Sequence, residues 1–188
     1  AGGGGSLAAD PGPGGSSGTM IRSITKYGEP VLHEPAALVT DVSGELGDLI
    51  RDMVETMYAA PGIGLAAPQV GVPLRIFVVD LSVGRTSGRL LTFINPEFVE
   101  RDGMQIEEEG CLSLPGFNAA VARPARATVK GLDLDGKEHV VEGTELLARA
   151  FQHEMDHLDG HVFVDRLRGI QRELIVRRIR RLTRQGKW

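Results

Sequence analysis

Between Pro61 and Thr144 the chain shows no helical period. It carries short apolar runs punctuated by Gly and Pro: Leu74 to Asp80, Leu90 to Ile94, Ala119 to Arg123, Ala125 to Leu134 and Lys137 to Glu142. Such runs read as strands, and Asp135-Gly136 between the last two is a hairpin turn. A parallel sheet needs a long, usually helical, crossover between neighbouring strands. No strand–helix alternation is present here, so the pattern predicts an α+β fold rather than a parallel α/β sheet.

Helices flank this block. Leu46, Leu49, Ile50, Met53, Val54 and Met57 recur at helical spacing, which predicts an amphipathic helix over 43–59. Ser43 is placed to cap it and Pro61-Gly62 closes its neighbourhood. Thr144 is placed to cap a second helix over 145–158, stopped by Asp159-Gly160. A last helix is expected over 166–184. The first 19 residues contain eight of the 25 glycines and no Lys or Arg. They read as a flexible tail, neither a signal peptide nor a transit peptide, with Met20 as a natural start. That leaves 20–188 as one domain.

Composition narrows the function. The chain has 188 residues, 41% apolar and 24% charged, which suits a globular protein and not a disordered one. No run approaches the ~18 apolar residues of a membrane span. A formal charge of −4 excludes a uniformly basic nucleic-acid binder. The single cysteine, Cys111, excludes an intrachain disulfide and favours a reducing compartment or a thiol with a chemical task.

Gln152-His153-Glu154-Met155-Asp156-His157 is an HExxH segment on the second predicted helix. Histidines at i and i+4 stand one above the other on one helix face, so both can bind one metal. Glu154 is then a general base rather than a ligand. Leu146 and Ala150 lie on the same stripe and would form an apolar wall. A catalytic metal takes three protein ligands and keeps one open position. The residues alone offer three candidates for the third ligand. His161 follows His157 by four residues, but Gly160 breaks the helix between them. Glu173 lies in an Arg-rich helix, where a surface ion pair competes. Cys111 sits between glycines in Glu108-Glu109-Gly110-Cys111-Leu112-Ser113-Leu114-Pro115-Gly116. Its thiolate is a strong ligand, although a lone cysteine is more often a small buried hydrophobe.

A third segment is Gly62-Ile63-Gly64-Leu65-Ala66-Ala67-Pro68-Gln69. Its small side chains let another backbone approach, so it could take a peptide as an added strand. Gln69 offers an amide donor for a developing oxyanion. A tight loop between a helix and a strand is the plainer reading.

Taken together, these three segments resemble the peptide deformylase family, which carries GxGxAAxQ, EGCLS and QHExDH in that order. The opening Ile24-Thr25-Lys26-Tyr27-Gly28-Glu29-Pro30-Val31-Leu32 is also similar to the start of bacterial members. The resemblance covers about residues 20 to 170. It implies antiparallel sheets packed around a central metal-binding HExxH helix, with a C-terminal helix. It implies Cys111, His153 and His157 as ligands of one divalent ion, Fe(II) natively, often replaced by Zn, Ni or Co. The implied reaction removes the N-formyl group from the formylmethionine of nascent polypeptides and releases formate, by attack of a metal-bound water with Glu154 as base. The Leu112 backbone N–H and the Gln69 amide would stabilise the oxyanion. Ile63, Gly64, Gly110, Leu112 and Leu146 would contact the peptide, Glu109 and Arg123 would help hold the site, and Gln152 and Asp156 would fix ligand orientation. The chain is further expected to be a cytoplasmic monomer with no membrane or DNA partner.

Residues 165–188 hold nine Lys or Arg against two acids, a net +7, so the rest of the chain carries −11. Leu167, Ile170, Leu174, Ile175 and Ile179 form the apolar side of this basic helix. A docked helix with a solvated face is one reading. The family resemblance adds a second, contact with the ribosome near the peptide exit through 166–184, which salt should weaken. Two competing functions remain on the residues alone. A zinc endopeptidase would take its third ligand downstream of His157. A structural zinc in a ribosome-binding module would need four ligands, of which three are convincing.

Overall fold

The computed structural model describes residues 18–188, and the predicted tail therefore falls almost wholly outside the described residues. Helix α1 spans Gly44–Ala59 and strand β1 Gly64–Ala66; β2 spans Ile76–Val79 and β3 Leu91–Asp102. Strands β4 (Gln105–Gly110), β5 (Asn118–Arg123), β6 (Arg126–Leu132) and β7 (Glu138–Thr144) follow, then helices α2 (Glu145–Leu158) and α3 (Ile170–Arg184). Every pairing among these seven strands is antiparallel. Five strands form one sheet in the order β1-β2-β3-β6-β7, and β4 pairs with β5 in a second, two-stranded sheet.

The five-stranded sheet is covered on both faces. Along β2, Phe77 and Val79 join α2 residues Ala150, Phe151, Met155 and Leu158 in one core. Ile76 and Val78 point the other way, into a core with Leu49, Ile50, Met53 and Met57 of α1. Alternate side chains of a strand face opposite sides, so a strand covered on both sides is apolar throughout. A third core joins Leu114, Phe117 and Val121 to Phe163, Val164, Leu167 and Ile179 beneath α3.

Several expectations need correction. The reading that ended a strand at Ile94 missed most of β3. Asn95 takes a left-handed conformation (φ 51°) and its amide side chain bonds both backbone groups of Val39, while the β3–β6 register shifts between Ile94 and Glu97. Asn95-Pro96 thus marks a bulge inside a strand, a place where proline is tolerated. Strand β4 was not expected, because its buried side chain is a glutamate, Glu109. Strand β1 falls in a segment read as a loop. The last helix starts at Ile170 instead of 166, after a 3₁₀ turn over Phe163–Arg166 and Gly169, whose φ is 64°. Its buried side also differs from the expected stripe: Ile170 is 73% and Leu174 56% exposed, whereas Val176 and Leu182 pack inward. Ser43 and Thr144 do occupy the N-cap positions of α1 and α2, but neither side chain makes a capping bond.

Candidate metal centre

Two elements meet at the site. The first is α2, which carries His153, Glu154 and His157 and packs across the five-stranded sheet. The second is the end of β4 and the turn after it, closed by the Leu114 N–H donating to the Cys111 carbonyl at 3.0 Å. That turn presents Cys111 to the helix. The ligand atoms of Cys111, His153 and His157 lie within 4.8 Å of one another. Cys111 Sγ is 3.3 Å from His157 Nε2. Tetrahedral N and S ligands at metal bond lengths stand roughly 3.3–3.8 Å apart, so this spacing suits one ion. The donor set, one thiolate and two imidazoles, suits borderline-soft divalent metals such as Zn and Fe. Two buried polar atoms beside the cluster, Glu154 Oε2 and His157 Nδ1, have no hydrogen-bond partner among the described residues. His161 is exposed beside Asp165, and Glu173 lies exposed on α3; neither joins the cluster.

Glu109 organises the surroundings. Its Oε1 accepts from His153 Nδ1 at 2.5 Å and from Arg123 Nη2 at 2.6 Å. Its Oε2 accepts from Arg123 Nε at 2.8 Å and Arg149 Nη1 at 2.7 Å. A carboxylate offers about four lone-pair sites, and all are filled here. Burial alone would raise the Glu109 pKa, but the bonds from His153 and Arg123 outweigh it and hold the carboxyl well below the usual range. Arg123 also donates to Asp156 Oδ2 at 2.9 Å, and Arg166 caps Asp156 from the other side. Burial pushes the Glu154 carboxyl up to about 7, against the pull of His153. It also pushes His157 well below its ordinary value, with His153 adding to the shift.

The cavity in front of the cluster has a volume of about 630 Å³ and includes Ile63, Gly64, Gly110, Cys111, Leu112, Leu146, Ala150, His153 and Glu154 in its lining. Gly64 leaves room for the carboxylate there: a Cβ at that position would lie 2.5 Å from Glu154 Oε1 and would displace it. Gln69 is buried behind this wall. Its Nε2 donates to Ser113 Oγ at 3.1 Å and lies 3.6 Å from Cys111 Sγ, while Oε1 accepts from the Ala66 N–H. Gln152 is placed otherwise than expected. Its amide donates to the Pro124 and Ala148 carbonyls, both at 3.0 Å, and so anchors α2 instead of meeting a ligand. Asp156 reaches the cluster through Arg123 and Glu109. Sequence reasoning missed Arg149, which touches Glu109 directly; its spacing of four from His153 on one helix face was the available signal.

A family model described as polypeptide deformylase matches residues 21–173. A peptide deformylase of Acidobacterium capsulatum is 50% identical over 169 residues, spanning 90% of this chain and 99% of the relative. One from Thermodesulfovibrio yellowstonii is 51% identical over 154 residues, 82% of this chain and 93% of the relative. Among solved structures, a peptide deformylase from Legionella pneumophila superposes with a TM-score of 0.82 at 40% identity, covering 88% of this chain and 97% of the other.

Proposed function

The chain belongs to the polypeptide deformylase family, and from that premise we propose that it removes the N-formyl group from formylmethionine at the start of nascent polypeptides, releasing formate. Cys111, His153 and His157 would hold one divalent ion, Fe(II) natively, which Zn, Ni or Co can replace. The observation that carries this reading is the convergence of a thiol and two imidazoles within 4.8 Å beside a cavity that Glu154 also lines. When bound, such an ion supplies Lewis acidity and lowers the pKa of water in its open position.

The chain's own residues divide the remaining work. Glu154 takes the attacking water's proton at its carboxylate and later delivers one to the leaving amine. The Leu112 N–H and the Gln69 amide would donate to the tetrahedral oxyanion, and losing one such donor typically costs about 10²–10³ in turnover. β1 is an edge strand of the five-stranded sheet, so its backbone is available to an extended peptide. Ile63, Gly64, Gly110, Leu112 and Leu146 would hold the methionine and the peptide backbone. Glu109 fixes the tautomer and rotation of His153 through Nδ1, as a carboxylate behind a metal-bound imidazole commonly does. No helix among the described residues is long and apolar enough to cross a membrane; the same reading gives the enzyme a cytoplasmic setting and gives α3 the ribosome near the peptide exit as partner.

Anaerobic formate release from a formyl-Met-Ala peptide tests the proposal, using Fe(II)-loaded protein and Glu154→Gln. The wild type is expected to release formate. The variant should retain one ion per chain and lose ~10²–10⁴ in rate. No release by the wild type with its ion bound would overturn the reading.

A further inference from the structure

Arg149 is a buried arginine to which the chemistry above gives no task. It is 4% exposed. A buried guanidinium persists only where its donors are met, and all three of its nitrogens are. Nη1 donates to Glu109 Oε2 at 2.7 Å, Nη2 to the Val121 carbonyl at 2.9 Å and Nε to Gln105 Oε1 at 3.3 Å. The three partners lie on β4 and β5. Arg149 itself lies on α2, four residues before His153.

This placement matters because the β4–β5 sheet is separate from the five-stranded sheet on which α2 rests. Cys111 directly follows β4, so the position of the small sheet relative to α2 sets where the thiol stands against the two imidazoles. Long side chains make that connection. Arg123 belongs to β5, so its bonds to Glu109 stay within the small sheet, and it reaches α2 through Asp156. Glu109 meets His153 directly and Gln105 donates to the Glu145 carbonyl; Arg149 adds the attachment one turn before His153, gripping both strands of the small sheet. With Asp156 three residues after His153 and Arg149 four before it, the histidine is bracketed. Without Arg149 the small sheet keeps the Arg123–Asp156 pair, the Glu109–His153 bond and the Gln105 bond to the Glu145 carbonyl, but it loses a three-pronged tie one turn before His153, and Glu109 loses one of its four donors.

We propose that Arg149 is a positioning residue for the Cys111–His153–His157 cluster, acting through Glu109 and the β4–β5 sheet. The inference rests on the metal reading above. Arg149 also lines the cavity, so peptide kinetics would mix two effects, and metal binding is the cleaner measure.

The experiment compares wild type, Arg149→Met, Arg149→Lys and a control, Arg126→Met, whose arginine bridges exposed acids on the sheet surface. Zn(II) affinity is measured by competition with a chromogenic chelator, the Co(II) visible spectrum reports ligand geometry, and thermal unfolding of the metal-free proteins reports the fold. Arg149→Met is expected to weaken Zn(II) binding by about 10–100-fold and to alter the Co(II) bands. Arg149→Lys keeps the charge but not the three-way fork and should fall between. Arg126→Met should match wild type. A folded Arg149→Met with wild-type affinity and spectrum overturns the proposal. If Arg149→Met does not fold, Arg149→Lys decides, and wild-type values there overturn it equally. A wild type that binds no Zn(II) or Co(II) removes the metal reading and this inference together; normal wild-type binding with unaffected variants removes this inference alone.

Discussion

Arginine serves two opposite purposes in this molecule. Around Glu109, Arg123 and Arg149 are buried at 3% and 4% exposure and spend their nitrogens on carboxylates, a backbone carbonyl and an amide. On α3, Arg177, Arg180, Arg181 and Arg184 face solvent. The first group is held in one geometry by low-dielectric surroundings, where an unpaired partner is costly. The second contributes a positive field over a body that is otherwise acidic. One residue type thus fixes distances in one place and sets potential in the other. The difference is legible in what each guanidinium touches, and mutation can separate the two roles.

The largest effect should come from the buried group. Glu109→Ala would leave His153, Arg123 and Arg149 each short of an acceptor. Breaking a buried charge network from one side typically costs about 3–5 kcal/mol. Urea unfolding of metal-free wild type and variant measures it. A loss below about 1 kcal/mol, the range of exposed ion pairs, would collapse the distinction between the two sets of charges.

Between these extremes stands Tyr58–Asp80. Tyr58 Oη donates to Asp80 Oδ2 at 2.6 Å, and Asp80 also accepts from Ser82 N–H, Ser82 Oγ and Gly84 N–H. Burial pushes the Tyr58 phenol up to about 12, with the bond to Asp80 adding to it. Burial acts to raise Asp80 as well, but its four donors outweigh that and hold the carboxyl below its ordinary value. The signs oppose each other. A raised phenol stabilises the fold below its unfolded pKa near 10, and this is lost as pH rises through about 12. A depressed carboxyl stabilises above its unfolded pKa and is lost as pH falls through the folded value. Tyr58→Phe is expected to cost ~1–3 kcal/mol at neutral pH, since Asp80 keeps three donors. It should also flatten the alkaline limb of the stability profile. Thermal melts from pH 3 to 12 compare the two proteins, and identical alkaline limbs would sink the assignment.

How far these features could be read in advance depended on whether they were local. The α2 helix was legible to the residue because its apolar stripe, its Thr144 start and its Asp159-Gly160 stop all lie within one segment. Cys111, His153 and His157 were legible as candidates because thiols and imidazoles are rare and chemically conspicuous. Choosing Cys111 over His161 and Glu173 needed either the family resemblance or the fold, since the choice depends on a contact spanning 46 residues. β4 was hidden because its inward side chain is charged, and β3 because a bulge at Asn95-Pro96 imitates a strand end. Arg149 drew no reading of its own, although it stands four residues before His153. That spacing places it on the His153 face, but the groups that hold it there, Gln105, Glu109 and Val121, belong to strands remote in sequence.

The smallest stability effect should come from α3, and there the same substitutions should have their largest effect on binding. The helix is docked by Ile179, Ile175, Val176 and Leu182, by Arg178 over the Phe117 ring at 5.5 Å, and by Trp188 Nε1 donating to the Tyr27 carbonyl at 2.8 Å. Arg177, Arg180, Arg181 and Arg184 stand outside those contacts. Replacing each by Gln should change unfolding free energy by no more than about 0.5 kcal/mol. If the exposed arginines contact ribosomal RNA phosphates, each contact releases counterions, and log K falls with log salt in proportion to their number, by roughly 0.7–0.9 per contact. Removing all four should therefore make the slope shallower by about 3, a change visible by co-sedimentation with ribosomes between 50 and 200 mM KCl. A wild-type slope in the fourfold variant would show that α3 is simply a docked helix with a solvated face. A stability loss as large as that of Glu109→Ala would show instead that these arginines hold the fold, and the contrast between the two groups would disappear.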